Sequence, residues 1–382
     1  VDQCHQAGIG VILDFVPVHF AVNDYALAEY DGTALYEYPN MAVGRNEWGS
    51  CNFMHSRGEV CSFLQSSAYY WLREFHFDGL RMDAVGNLIY WQGDANRGEN
   101  LAALKFIRTM NQGLKERVPE CLLFAEDSTP YQGVTKAVWE GGLGFDYKWD
   151  LGWMHDTLSY FQADANERRE KYHKLTFSMM YYYNECYILP LSHDEVVHGK
   201  ATIAQKMNGG YDGKFPQARA FYMYMYAHPG AKLNFMGNEL AQLKEWCEKD
   251  ELDWILLKFP IHEAFHKFMA DLNKCYLTNN AFYQRDIRQD GFEWVDCHQE
   301  QKCMYLFERI SGDQKILAVF NFSDETQEYT LEKDYAGYEL VLASDMVKYG
   351  GKKRYTKKEK EIKGGKAVFK MGPFSARYYL VK

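Results

Sequence analysis

Asp78-Gly79-Leu80-Arg81-Met82-Asp83-Ala84-Val85 decides how the rest of the chain is read. It is a short apolar run that carries two opposite charges, Arg81 and Asp83, two positions apart. On a strand both side chains then face the same side. The stretch lies among comparable runs at 10–16, 121–126, 187–192 and 232–236, with a weaker one at 145–149. The segments between them have helical spacing. Val60, Phe63, Leu64, Ala68, Trp71, Leu72 and Phe75 form one stripe. Leu101, Leu104, Ile107, Leu114 and Val118 form a second, with Asn111 as its one polar member, and Ile261, Phe265, Phe268, Met269, Leu272 and Tyr276 form a third.

Buried runs separated by amphipathic helices imply βα units on a parallel sheet. Charged residues gather at the ends of four runs: Asp14 with His19, Arg81 with Asp83, Glu126 with Asp127, and His193 with Asp194. Chemistry at the C-terminal ends of parallel strands is the layout of a (β/α)8 TIM barrel. A doubly wound sheet would want a Gly-rich loop after its first strand, and none follows Asp14. From about Leu277 the rhythm becomes β-rich, with turns at Ser311-Gly312-Asp313 and Gly364-Gly365. The expectation is an α/β barrel domain over 1–278 and an antiparallel β-sandwich over 279–382.

The chain has 382 residues and a net charge of −9, which argues against nucleic acid as a partner. Its one basic cluster, Lys352 to Lys360, is interrupted by Glu359 and reads as a solvated loop or hairpin. No apolar run is long enough to span a membrane. The nine cysteines include no CxxC pair, which points to free thiols and a reducing, cytoplasmic setting. The 16% aromatic share fits a large core first and a sugar-stacking surface second.

Retaining cleavage of a glycosidic bond needs two carboxyls, one as nucleophile and one as acid/base. An Arg beside an Asp favours the ionised form that a nucleophile requires. Glu126 closes an apolar run behind Phe124 and Ala125, where poor solvation favours the protonated acid. Taken singly, each of these carboxylates would serve equally as a helix cap with a salt-bridge partner. Asp127, next to Glu126, points to the opposite strand face. His193 and Asp194, as strand neighbours, reach one ligand only if the strand bends there.

Four successive strand ends carrying His, Arg–Asp, Glu and His–Asp, in that order, resemble the four sequence regions of the α-amylase superfamily. The resemblance implies Asp83 as nucleophile, Glu126 as general acid/base and Asp194 as transition-state stabiliser. Arg81 would orient Asp83, and His19 and His193 would bind the sugar. Finer matches, L-S-H-D-E-V-V-H-G-K (191–200), D-G-T-A-L-Y-E (31–37), G-G-L-G-F-D-Y-K-W-D-L-G-W-M-H-D-T-L (141–158) and F-M-G-N-E-L-A-Q (235–242), are similar to glycogen branching enzymes. That likeness implies glycosyl transfer from α-1,4 to α-1,6 linkage on a glycogen-type glucan, with no cofactor and no metal. A hydrolase of the same superfamily and an inactive glucan-binding fragment stay open beside it. Trp149 and Trp153 are open between sugar stacking and core packing.

The sequence departs from the family pattern in two ways. Val18 stands where many α-amylases carry a calcium-binding Asn, so no calcium is expected there; as a larger residue than branching enzymes usually carry, it would narrow the pocket slightly. The resemblance also makes the first strand here the third of the barrel. The two strands before it and an accessory β-domain are then missing, which would leave two sheet edges open, and the chain as it stands is expected to be unstable or to aggregate.

Overall fold

The computed structural model describes residues 1–365 and 367–382, which gather into two compact units. The first holds Val1–Leu151 and Asn184–Tyr187; the second holds Gly152–Tyr183 and Ile188–Lys382.

In the first unit, β1 (Ile12–Phe15), β2 (Gly79–Met82), β3 (Leu122–Ala125) and β4 (Tyr147–Trp149) lie side by side in that order, all parallel. Asp14 is in register with Arg81, Arg81 with Phe124, and Phe124 with Tyr147. Leu80 and Met82 are fully buried in a core with Leu123, Ala125 and the helices Gly58–Glu74 and Leu101–Arg117. The side chain of Asn100 accepts from the Ala103 N–H at the second helix's N-terminus, and Lys115 and Arg117 lie in its last turn, where cations suit the helix dipole.

The expected helix stripes are narrower than their spacing suggested. Val60, Leu64, Ala68 and Leu72 are buried, whereas Phe63, Phe75 and Leu101 are exposed at the stripe margins. Asn111, the polar exception, is fully buried and donates from Nδ2 to the Leu143 carbonyl at 2.8 Å. Its partner is main chain from a distant loop, which helical spacing does not reveal.

In the second unit, β5 (Tyr187–Leu191) pairs in parallel with β6 (Ala231–Asn234) from Ile188 onward. The helix Tyr211–Ala227 precedes β6 and is buried on all faces from Gln217 to Ala227. It has no polar face, so it gives no amphipathic signal. The amphipathic helix Pro260–Thr278 buries Phe265, Phe268, Met269 and Leu272.

The C-terminal strands are β7 (Phe292–Gln299), β8 (Met304–Ser311), β9 (Gln314–Asn321), β10 (Gln327–Thr330), β11 (Tyr335–Ala343), β12 (Glu361–Gly365), β13 (Val368–Met371) and β14 (Ser375–Val381). Six form an antiparallel sheet in the order β12-β11-β14-β9-β8-β7, and β10 pairs with β13. Leu306, Leu317, Val319 and Tyr379 of the large sheet share a core with Tyr329, Phe369 and Met371 of the small one, which makes the expected sandwich. Two expectations are corrected here. Gly364 and Gly365 extend β12 against Tyr335 and its neighbours and do not form a turn. Lys357–Lys360 is a one-turn helix whose N-terminus is closed by a Thr356–Glu359 capping box, the local hydrogen bonding that a run of like charges conceals.

Gly79 shows how closely the parallel strands approach. A Cβ there would stand 2.2 Å from the Leu122 carbonyl oxygen and 2.9 Å from Ile12 Cδ1. The first contact is with main chain, so relief requires β2 and β3 to separate. Gly79→Ala is expected to lower unfolding free energy by about 2–3 kcal/mol, read as a lower urea midpoint by far-UV circular dichroism. An unchanged midpoint would contradict the packing described.

Candidate active site

The first unit brings Asp83 and Glu126 together around the guanidinium of Arg81, with His19 beside Asp83. Arg81 is 8% exposed, and its Nη1 donates to Asp83 Oδ1 at 2.8 Å and to Asp14 Oδ1 at 2.7 Å. Its Nη2 donates to Glu126 Oε2 at 2.7 Å, and the indole of Trp149 lies 4.5 Å from the guanidinium carbon. Such a planar fork suits carboxylates geometrically in a way that a lysine ammonium does not. Burial alone opposes charge on Arg81; Glu126, Asp14 and Asp83 outweigh it and raise its pKa.

Glu126 lies one residue beyond β3, where its carboxylate also accepts from the Ala84 N–H at 3.0 Å. Ala84 adopts the left-handed conformation, with φ of 49°, at the turn after β2. Burial pushes the Glu126 carboxyl up to about 7; Arg81 and the Ala84 N–H pull the other way, and a side-chain hydrogen bond with Asp83 adds to the rise. This is the apolar suppression of ionisation expected from Phe124 and Ala125. Phe124 stacks on Tyr147 at 5.5 Å.

His19 lies on the short antiparallel pair His19–Phe20 with Cys51–Asn52. Its Nε2 is 4.0 Å from Asp83 Oδ2, and its Nδ1 is buried without a hydrogen-bond partner. Burial lowers its pKa against the opposing pull of Asp83, which favours a neutral imidazole able to share a hydrogen bond with a hydroxyl. Val18 is 2% exposed in the first unit's core, so it contributes packing and no ligand oxygen.

In the second unit, β5 ends at Leu191 and a single 3-10 turn, His193–Val196, follows. Ser192 starts it: its hydroxyl accepts from the Asp194 N–H, while the Glu195 carboxylate accepts from the Ser192 N–H at 2.8 Å and its hydroxyl at 2.7 Å. The bend on which a shared reach of His193 and Asp194 depends is therefore present. They leave the strand, and the turn places His193 Nε2 3.5 Å from Asp194 Oδ1. The His193 ring also lies near Phe235 and Trp246.

Other carboxylates separate cleanly from this chemistry. Asp127 forms a buried ion pair with Lys148 at 2.8 Å and binds the Thr129 N–H, so it is structural. Trp153 is 1% exposed, and Trp149 is covered by Arg81; both are packed rather than presented to solvent. Two site residues were given no role by the sequence reading. Asp14 meets Arg81 because the two are register partners, a relation visible only once β1 and β2 are paired. Trp48 lies 5.4 Å from the His19 ring and is 56% exposed; nothing in the local spacing sets it apart.

The alpha amylase C-terminal all-beta domain model matches residues 294–382. Among solved structures, the fold is similar to an alpha-amylase from Geobacillus thermoleovorans complexed with acarbose (TM-score 0.68, 15% identity, 100% of this chain and 79% of that one). It is also similar to a pullulanase from Anoxybacillus sp. LM18-11 complexed with maltotetraose (TM-score 0.69, 14% identity, 98% and 55%). Among curated proteins, the 1,4-alpha-glucan branching enzyme GlgB of Fusobacterium nucleatum is 45% identical over 357 residues, which cover 92% of this chain and 58% of that protein. The Geobacillus stearothermophilus GlgB is 42% identical over 364 residues, covering 92% and 56%. The chain thus spans somewhat more than half the length of these relatives. Along nearly all of its own length the chain is thus similar in sequence to 1,4-alpha-glucan branching enzymes.

Proposed function

We propose that the chain carries the catalytic core of an α-glucan branching reaction, with a glycogen-type polymer as both donor and acceptor. The observation that carries this reading is the pair of carboxyls on one guanidinium, with Glu126 protonated up to about pH 7 beside Asp83. Asp83 attacks the anomeric carbon of an α-1,4-linked glucose while Glu126 gives its proton to the departing oxygen. A glycosyl-Asp83 ester forms. Glu126, now ionised, takes the proton of an acceptor 6-hydroxyl, and that oxygen displaces Asp83 to give an α-1,6 bond. Two inversions preserve the α configuration. Arg81 orients both carboxyls, and His19 binds the sugar. Asp194 is assigned to stabilise the positive charge that develops on the sugar, and His193 to hydrogen-bond it; the likeness of 191–200 to branching enzymes supports both.

In the same reading, β1 to β6 are the third to eighth strands of a (β/α)8 barrel, with the catalytic domain over 1–278 and the all-β domain over 279–382. The helix Pro260–Thr278, followed from Phe292 by predominantly β structure, supports that boundary. The nine free cysteines support a reducing, cytoplasmic setting.

Two experiments test the chemistry. The Glu126 pKa is raised above the usual 4.5, so the proton is held below about pH 7 and lost as pH rises through it. Carboxyl-13C-labelled glutamate should show one resonance titrating near pH 7 that vanishes in Glu126→Gln, and turnover should fall above that pH because the leaving group goes unprotonated. If every glutamate titrates near 4.5, the acid assignment fails. For the reaction, the protein is incubated with linear amylose and products are counted by NMR. New α-1,6 linkages with few lasting reducing ends are expected, and Asp83→Asn should lower turnover by on the order of 10⁴ or more. Reducing ends without α-1,6 linkages would make the chain a hydrolase; neither product would favour the binding or inactive reading.

A further inference from the structure

The turn that carries His193 and Asp194 runs directly into a loop whose backbone is costly to hold. His198, Gly199 and Ala201 all take positive φ, at 59°, 78° and 64°. Two of these are not glycine, and such conformations persist only where surrounding contacts over-determine them.

Those contacts come from two side chains. Lys206, at the end of the single-turn helix Ile203–Lys206, is 8% exposed. Its ammonium donates to the main-chain carbonyls of Glu195, Lys200 and Ala201. Three tetrahedral donors thus meet three acceptors drawn from both ends of the loop. From the other side, the Glu245 carboxylate accepts from the Gly199 N–H at 2.9 Å and the Ala201 N–H at 2.6 Å. The next residue, Trp246, donates its N–H to the Val196 carbonyl at 3.1 Å and sets its ring near His193. The loop is held at its carbonyls by a cation and at its amides by an anion.

A buried ammonium is a poor choice for packing alone. Burial pulls the Lys206 pKa down to about 8 against the raising pull of Glu195 and Glu245, and the like charge of Lys200 lowers it further. A methionine would fill similar space without that desolvation cost. What methionine cannot do is bind three carbonyls.

We propose that Lys206 and Glu245 are positioning residues that clamp the 195–201 loop and thereby fix Asp194 for the chemical step. The catalytic half of this proposal rests on the role given to Asp194 above; the clamp itself does not. A displacement of about 1 Å in a catalytic group costs up to on the order of 100-fold in rate, so loss of the clamp acts on kcat more than on KM.

The test uses this chain with Lys206→Met and, because a buried substitution can compromise folding, Glu245→Gln on the surface. In Glu245 each amide has its own carboxylate oxygen; a carboxamide replaces one of them with an NH2 that cannot accept, so Glu245→Gln removes the acceptor of one of the two amides. The expected result is a kcat for α-1,6 bond formation lowered about tenfold or more in each variant, with KM for amylose within about twofold, and faster hydrogen exchange at the Gly199 and Ala201 amides. Wild-type kcat with wild-type exchange in both variants would overturn the clamp. Faster exchange with unchanged kcat would overturn its link to Asp194. If the unsubstituted chain forms no α-1,6 bonds, the functional reading fails separately, and exchange at Gly199 and Ala201 still decides the clamp.

Discussion

One guanidinium must satisfy three carboxylates and still leave two of them fit for opposite tasks. Arg81 meets that demand because its fork has donors on two nitrogens: Nη1 serves Asp83 and Asp14, and Nη2 serves Glu126. Their cumulative charge would repel strongly in so buried a place. Protonation of Glu126 relieves it, and burial drives that protonation. Glu126, the proposed acid, therefore owes its proton to the same crowding that surrounds Asp83, the proposed nucleophile. Removing Arg81 would take away the partner of all three carboxylates, of which Glu126 is the most buried.

The arrangement depends on strand register. Asp14, Arg81 and Phe124 are successive register partners across β1, β2 and β3. A slip of one residue in β2 would turn Arg81 toward the helices and bring Leu80 or Met82 to the carboxylates. Gly79 and the wholly buried Leu80 and Met82 fix that register by close fit, so the apolar half of the strand sets the accuracy of its polar half.

This explains what could be read beforehand. Short apolar runs mark parallel strands because both sheet faces are buried, and all six were legible within a few residues. The charged residues at their ends were legible because their order is specific. Residues whose roles arise from pairing were not: Asp14 gains its partner through register, Asn111 through a remote carbonyl, and Trp149 by lying over Arg81. The helix Tyr211–Ala227 was invisible to periodicity for a further reason. Its buried stretch has no solvent face, and its C-terminal carbonyls are satisfied by distant side chains, the Met223 oxygen by Tyr378, the Ala227 oxygen by Arg309 and the His228 oxygen by Lys232. The β10 and β12 strands were missed because short, polar edge segments lack a strong alternating pattern.

Buried cations serve two different purposes in the two units. Arg81 faces side-chain carboxylates, so its surroundings can change protonation as a reaction proceeds. Lys206, Lys232 and most of the contacts of Arg168 and Arg309 face main-chain carbonyls, which never titrate. A carbonyl-bound cation faces acceptors whose charge does not change: it neutralises helix ends and strained loops. A carboxylate-bound cation is an adjustable one, since every proton gained or lost nearby alters its balance. The chemistry assigned to Asp83 and Glu126 needs the second kind, because Glu126 must give up and recover a proton in each cycle. The 195–201 loop is held through its main chain instead, its carbonyls by Lys206 and its amides by Glu245.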